Sequence, residues 1–321
     1  MDEKKVLDLG AIAADNMILE NIASELLVEK IDLLDKQYSE DELVAIYNHF
    51  LGICKNNDVL MYLIRGVDKY RDKSSLSVIL DLLLDKTNQI NLRSMCAKAI
   101  ANFKDTSAVT PLLYCLNDKD EPYQVRLACA DALGKVGDKY AVAPLINIVQ
   151  DEDEKSVYVR ESAAVALGML GDMRAIDPLL SILETKKGFL DKFTFLKERV
   201  IEVLGKFHFN SERVFKALEH ALRDESPQIR INAIEALMES DDERAYSLIK
   251  EMLDDRDDEV KKNALIALYN IVGSDILDEV FESNTYCDFV KIEAQSIREE
   301  YEGDDSDEDE DEDECEGNDD E

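Results

Sequence analysis

Between residues 92 and 261 the chain six times places an apolar residue directly before a cation, at Leu92-Arg93, Val125-Arg126, Val159-Arg160, Leu196-Lys197, Ile229-Arg230 and Val260-Lys261. A small or apolar residue follows each cation at three and at six positions, for example Cys96 and Ala99 or Ala163 and Ala166. The steps between instances are 33, 34, 37, 33 and 31 residues, the period of stacked two-helix units. Seven positions after each leading apolar residue stand Ala99, Ala132, Ala166, Val203, Ala236 and Ala267, so one face of every second helix is predicted to admit a neighbour closely. Pro111, Pro144 and Pro178 sit where the first helix of a unit begins, and Gly134, Gly137, Gly168 and Gly171 where the second ends. No evenly alternating apolar runs suggest strands.

Before the repeats the helical signal continues in diverged form. Ile12, Ile18, Leu19, Ile22, Leu26, Leu27, Ile31 and Leu34 mark an amphipathic stretch to about Lys36. Ser39 with Glu42 is a capping box opening a second helix through Leu51, and a third helix is predicted from about Asp58 to Tyr70. The segments are therefore a helical N-terminal cap at 1–74, six repeats at 75–273, a helical C-terminal cap at 274–302, and a tail at 303–321. Terminal units of a repeat array must present a polar outer face, which accounts for their divergence.

Units of this length, with Pro near the first helix start and V-R-x-x-A-x-x-A-L-G in the second helix (Val159 to Gly168), resemble HEAT repeats, specifically the short HEAT-like subtype named after phycobilisome lyases. The resemblance covers residues 75–273 and is strongest from Thr110 to Asp172. It implies an all-α fold, a right-handed α-solenoid of HEAT-like helical hairpins with helical caps and a disordered acidic C-terminal tail. It also implies a ladder along the stack, built from an acid of the inter-helix turn and a cation six residues later and paired within or between adjacent units, at Asp120/Arg126, Glu154/Arg160, Asp191/Lys197, Asp224/Arg230 and Asp255/Lys261. The first unit departs from this spacing, with Thr87 six residues before Arg93. The second helices are expected to line the concave surface, exposing Met95, Lys98, Asp131, Glu161, Val165, Arg199, Glu202, Asn232, Glu235 and Ile266.

Charge sharpens the functional expectation. The chain holds 37 Lys and Arg against 72 Asp and Glu, and residues 303–321 contribute fourteen acids and no cation. A block of like charge with nothing to bury is expected to be disordered, either a solubilising appendage or a tail for basic segments of a partner. The long-range field opposes a phosphate backbone, so no nucleic-acid partner is expected. The long third step inserts Lys186, Lys187, Phe189, Asp191, Lys192, Phe193 and Phe195. From Thr185 to Lys216 there are eight Lys or Arg against four acids, which makes this region the best local contact site and a weak, salt-sensitive dock for the tail.

Catalytic chemistry has little to stand on. Six cysteines, Cys54, Cys96, Cys115, Cys129, Cys287 and Cys315, lie without C-x-x-C or metal-ligand spacing, and Cys96 and Cys129 fall on the core position that Ala163 and Ala233 fill elsewhere. His49, His208 and His220 form no H-x-x-H pair, and the His-Glu dipeptides with which a di-iron hydroxylase of the same repeat type holds metal are absent from the sequence. No cofactor or metal is expected. The opening Met-Asp-Glu-Lys-Lys lacks an apolar signal core and no long apolar run exists, so membrane and secretion are not expected and the cytoplasm is. The expected function is a monomeric, non-enzymatic scaffold or adaptor for other proteins. The alternative is a lyase or lyase-accessory subunit acting on a protein-bound prosthetic group.

Overall fold

The structure is a computed structural model, and it describes residues 8–15, 24–184, 192–206, 211–240 and 242–302. Among the described residues there are helices and turns and no strand. The cap helices are α1 (Leu9–Asp15), α2 (Ser24–Leu34), α3 (Glu40–Ile53) and α4 (Asn57–Tyr70). Six hairpins follow: α5 (Leu76–Leu84) with α6 (Ile90–Phe103), α7 (Val109–Asn117) with α8 (Tyr123–Val136), and α9 (Val142–Gln150) with α10 (Val157–Leu170). The last three are α11 (Ile176–Glu184) with α12 (Lys192–Gly205), α13 (Glu212–Ala221) with α14 (Pro227–Met238), and α15 (Glu243–Glu251) with α16 (Asp258–Val272). The chain closes with α17 (Asp275–Glu282) and α18 (Asp288–Glu302). None of the described helices is long and apolar enough to cross a membrane.

By compactness the chain forms two units, residues 1–179 and 180–321. That cut falls inside α11, within the run of hairpins, and so differs from a division into caps and repeats. The single amphipathic stretch expected up to Lys36 is seen as α1 and α2, with residues 16–23 outside the described ones. The acidic tail, 303–321, also lies outside them.

Five of the six hairpins are started by the same device, α13 being the exception. Asp72, Asp105, Asp138, Asp172 and Asp242 each accept a hydrogen bond from the backbone N–H two residues on, at Ser74, Ser107, Tyr140, Arg174 and Arg244. This satisfies one of the N–H groups that a helix start leaves without an intrahelical partner. The Ser39/Glu42 capping box forms at α3, the Ser39 N–H donating to Glu42 at 2.9 Å. The second helices α8 and α10 stop on left-handed glycines, Gly137 (φ 84°) and Gly171 (φ 58°), and at the ends of α4 and α6 Arg71 (φ 54°) and Lys104 (φ 49°) take that conformation. A Cβ on Gly134 would stand 2.8 Å from the Ala166 Cα, so glycine is what lets α8 and α10 approach along their small-residue faces.

The charged ladder exists, and of the two arrangements expected its rungs take the one between adjacent repeats. Arg93 donates through both Nη atoms to Glu121 (2.6 and 3.0 Å), Arg126 to Glu154 (2.9 and 2.6 Å), and Arg230 through Nε and Nη2 to Asp255 (2.9 and 2.7 Å). The Nε of Arg93, Arg126 and Arg160 donates back to a carbonyl of its own first helix, Leu83, Leu116 and Val149. Arg93 and Arg126 thus tie both helices of one hairpin to the turn of the next. Five of the expected positions need correction accordingly. Glu121 takes the rung in place of Asp120, Glu154 serves Arg126 rather than Arg160, Asp255 serves Arg230 rather than Lys261, and Lys261 pairs with Asp258. Asp224 presents its backbone carbonyl to Arg230, while its carboxylate takes the Ser226 N–H. The physical reason is reach: a buried arginine extends across the stack, where the carboxylate of the following turn is also cut off from water. Asp191 lies outside the described residues. A second, exposed row follows the same logic, with Lys86–Asp118 and Lys119–Asp151 each at 2.6 Å, and contributes little.

The Arg126–Glu154 side chains are 4% and 2% exposed, so removing one partner strands a buried charge. Glu154→Ala should lower stability by about 3–5 kcal/mol, whereas the apolar pair Arg126→Met with Glu154→Leu should cost clearly less than that single change. Urea denaturation of the three variants checks this, and a double substitution as damaging as Glu154→Ala would contradict it. Burial pushes the carboxyls of Glu121 and Glu154 up, but hydrogen bonding and charge from Arg93 and Arg126 outweigh it and hold both below their ordinary 4.5. Their folded values are depressed, so the stabilisation is fully present above the unfolded value and is lost as pH falls through the lower folded ones. Acid unfolding should set in below about pH 4.5, and Glu121→Gln should flatten that limb in a pH series of melting temperatures.

Candidate protein-binding faces

In the first unit, helices α4, α6 and α8 lie side by side, and their outer residues line a groove of about 190 Å³. Arg65 and Asp68 enter from α4, Met95, Lys98 and Asn102 from α6, and Asp131 and Lys135 from α8. Small residues, Ala99, Ala128 and Ala132, form its floor, because the same alanines that allow close helix packing leave the surface between the helices low. Three of the residues expected on the second-helix face, Met95, Lys98 and Asp131, therefore meet here. Arg65, Asp68, Asn102 and Lys135 were not singled out by sequence, although the register held the signal. Arg65, Lys98, Asp131 and Val165 are separated by 33, 33 and 34 residues, and Asp68, Asn102, Lys135 and Met169 by 34, 33 and 34. The cap helix α4 continues both columns.

The two acids of the groove each have a polar neighbour. The Asn102 amide donates to Asp68 at 2.8 Å. Burial pushes the Asp131 carboxyl up, against Ser162, Lys135 and Lys98, which favour its charged form. Further along the unit, Glu161 and Val165 are half-buried on α10, and Met169 is exposed. Tyr123 and Tyr158, at the starts of α8 and α10, stack with ring centroids 6.0 Å apart and both remain exposed. An exposed aromatic pair on a repeat face is the kind of anchor that interfaces favour.

The second unit presents a different chemistry on α12, α14 and α16. Arg199 pairs with Glu202, which also takes Lys206 at 2.7 Å. Burial pushes Glu202 up, but Lys206 and Arg199 outweigh it and lower its carboxyl. Burial raises Glu235, and the neighbouring Glu202 and Glu239 raise it further. Asn232 bridges helices, donating to the Glu198 carbonyl at 3.2 Å and accepting from Gln228 at 2.8 Å. Phe195 is 59% exposed and Ile266 37%. Lys186, Lys187 and Phe189 lie outside the described residues, and of Lys192 and Phe193 only the backbone, as the start of α12, is described.

The cysteines behave as the alanine register suggests. Cys96, Cys115 and Cys129 are buried free thiols, and burial raises Cys96 to about 12. Cys54 is half-buried and Cys287 exposed, while Cys315 lies outside the described residues. His49 sits beside Phe50 on α3 and His220 on α13, with His208 outside the described residues. Among the described residues no three His, Cys, Asp or Glu side chains converge as a metal would require.

Residues 118–194 and 190–269 match the family model for HEAT repeats. No curated protein matches the sequence. Among solved structures, the karyopherin Kap121p bound to Nup53p is 12% identical over 90% of this chain and 37% of that one, with a TM-score of 0.56. The complex of CpcE and CpcF of phycocyanin lyase from Nostoc sp. PCC7120 is 18% identical over 82% and 95% of the two chains, with a TM-score of 0.46. Human deoxyhypusine hydroxylase in complex with glycerol is 17% identical over 81% and 94%, with a TM-score of 0.34. The chain carries HEAT repeats and has an α-solenoid fold.

Proposed function

We propose that this protein is a non-enzymatic scaffold or adaptor that binds other proteins on the second-helix faces of its HEAT repeats. The groove over α4, α6 and α8 is the observation that carries the reading, because it brings side chains from three successive helices into one surface of mixed charge with a small-residue floor. A solenoid's extended face suits a partner segment laid across several repeats. The exposed Tyr123–Tyr158 pair on the same unit supplies rigid aromatic area beside it. The fourteen acids of residues 303–321 add a long-range attraction for basic partner segments, which salt screens over about 10 Å at 0.1 M. The lyase-subunit reading rests on repeat resemblance alone, and activity resides in sites rather than folds.

Partners captured from the source cell by the full chain should be compared with those captured by two altered forms. Lys98→Glu with Lys135→Glu should abolish capture of a groove partner while helix content and melting temperature stay unchanged, since Lys98 and Lys135 lie at the exposed margin. Ending the chain after Glu302 should instead weaken only basic partners, and only at low salt. Identical partner sets for all three proteins would remove the reading.

A further inference from the structure

The second unit holds a cavity of about 560 Å³, lined by α11, α12, α13 and the start of α14. Its size lies within the roughly 300–1,000 Å³ common for small-molecule sites. Leu180, Leu183, Ile201, Ala217, Ala221 and Ile229 make the walls apolar. Lys197, Arg213, Lys216 and His220 line the same space, with Asp224 as the one carboxylate. In a chain of net charge −35 this concentration of cations around an apolar chamber is unusual.

The ladder explains how the space arises. Lys197 stands at the position occupied by Arg93, Arg126 and Arg230 in other repeats, and Asp224 stands where Glu154 and Asp255 receive those arginines. Glu154, Asp224 and Asp255 each cap the backbone N–H two residues on, at Ser156, Ser226 and Asp257, so the three turns are equivalent. A lysine cannot supply the two parallel N–H donors and the Nε bond of an arginine. The Lys197–Asp224 rung is not closed, and among the described residues the half-buried Lys197 has no hydrogen-bond or ion-pair partner. An ammonium left half-buried beside an apolar wall is a site that a ligand anion would complete.

We infer that this cavity binds a small amphipathic carboxylate, its apolar body between α11 and α13 and its carboxylate on Lys197. Arg213 and Lys216 add positive potential to the entrance. The chain's own acidic tail is not the occupant, because residues 303–321 contain no aliphatic or aromatic side chain to fill apolar walls. The inference is independent of the groove over α4, α6 and α8, which lies on other helices.

Decanoate is the probe, titrated into the full chain by isothermal calorimetry, with decanol and decyltrimethylammonium as neutral and cationic counterparts of the same tail. Decanoate should bind saturably at one site per chain and much more tightly than either counterpart. Lys197→Met should weaken it by about tenfold or more, the loss of one charge-assisted contact. Ala217→Phe, which fills the cavity from α13, should abolish binding, whereas the exposed control Lys155→Met should leave it unchanged. Circular dichroism melting of each variant separates lost binding from lost folding. Equal binding of decanol, or full binding by Ala217→Phe, would overturn the assignment. So would no saturable binding by the full chain.

Discussion

Hairpin stacking in this protein turns on a buried guanidinium that reaches two ways. Arg93, Arg126 and Arg230 each hold a carboxylate on the following turn, at Glu121, Glu154 and Asp255, while their remaining donors take backbone carbonyls of their own hairpin. Apolar packing alone would let one alanine-rich helix slide along another, since alanine presents little relief. A bidentate pair out of water does not slide, because each displaced geometry leaves a buried charge unpaired. The rung therefore acts chiefly on register, with net stability supplied by the apolar core around it. That core includes Leu133, Ala166 and Leu167, all almost fully buried.

Fixing the register also determines where the remaining charge goes. Rungs, exposed lysine pairs and aspartate caps consume cations and acids in pairs, so much of the repeat charge is committed to holding the structure. Lys86, Lys119, Arg174 and Arg244 all answer specific carboxylates. Among the buried or half-buried cations of the rung position Lys197 stands out, since Arg93, Arg126 and Arg230 at the same place in other repeats each hold a carboxylate.

Much of the fold was legible in the sequence because helix period and repeat period are both written in residue type. The apolar-cation pair, the alanines and the glycine stops located α5 to α16 without reference to any contact. The rung partners were not legible in the same way. Spacing within a turn suggests Asp120 for Arg126, but a carboxylate one repeat later is nearer in space, and sequence separation says nothing of that. Glu121 instead of Asp120 is a further one-residue choice set by which side chain the turn points inward. Arg93, whose own turn carries Thr87 in the acid position, makes a complete rung for the same reason. The groove residues of α4 were missed because a diverged cap hides its place in the register until its helix is seen beside α6.

On the proposed binding role, the division between fixed and variable positions locates specificity. Core columns change little from repeat to repeat: Cys96, Cys129, Ala163, Val200, Ala233 and Ala264 are all small or apolar and all buried. The surface column one step away reads Arg65, Lys98, Asp131, Val165, Glu202, Glu235 and Ile266, with almost every chemistry present. Both columns share one spacing, so the surface inherits the precision of the core without sharing its constraint. A change at Lys98 or Glu235 alters what the face attracts and leaves the stack intact, whereas a change at Arg126 alters the stack itself. The two units therefore present different surfaces to the proposed partners, mixed in charge over α4, α6 and α8 and carrying Glu202 and Glu235 over α12 and α14. The structural cost of that diversity is confined to positions that already face water.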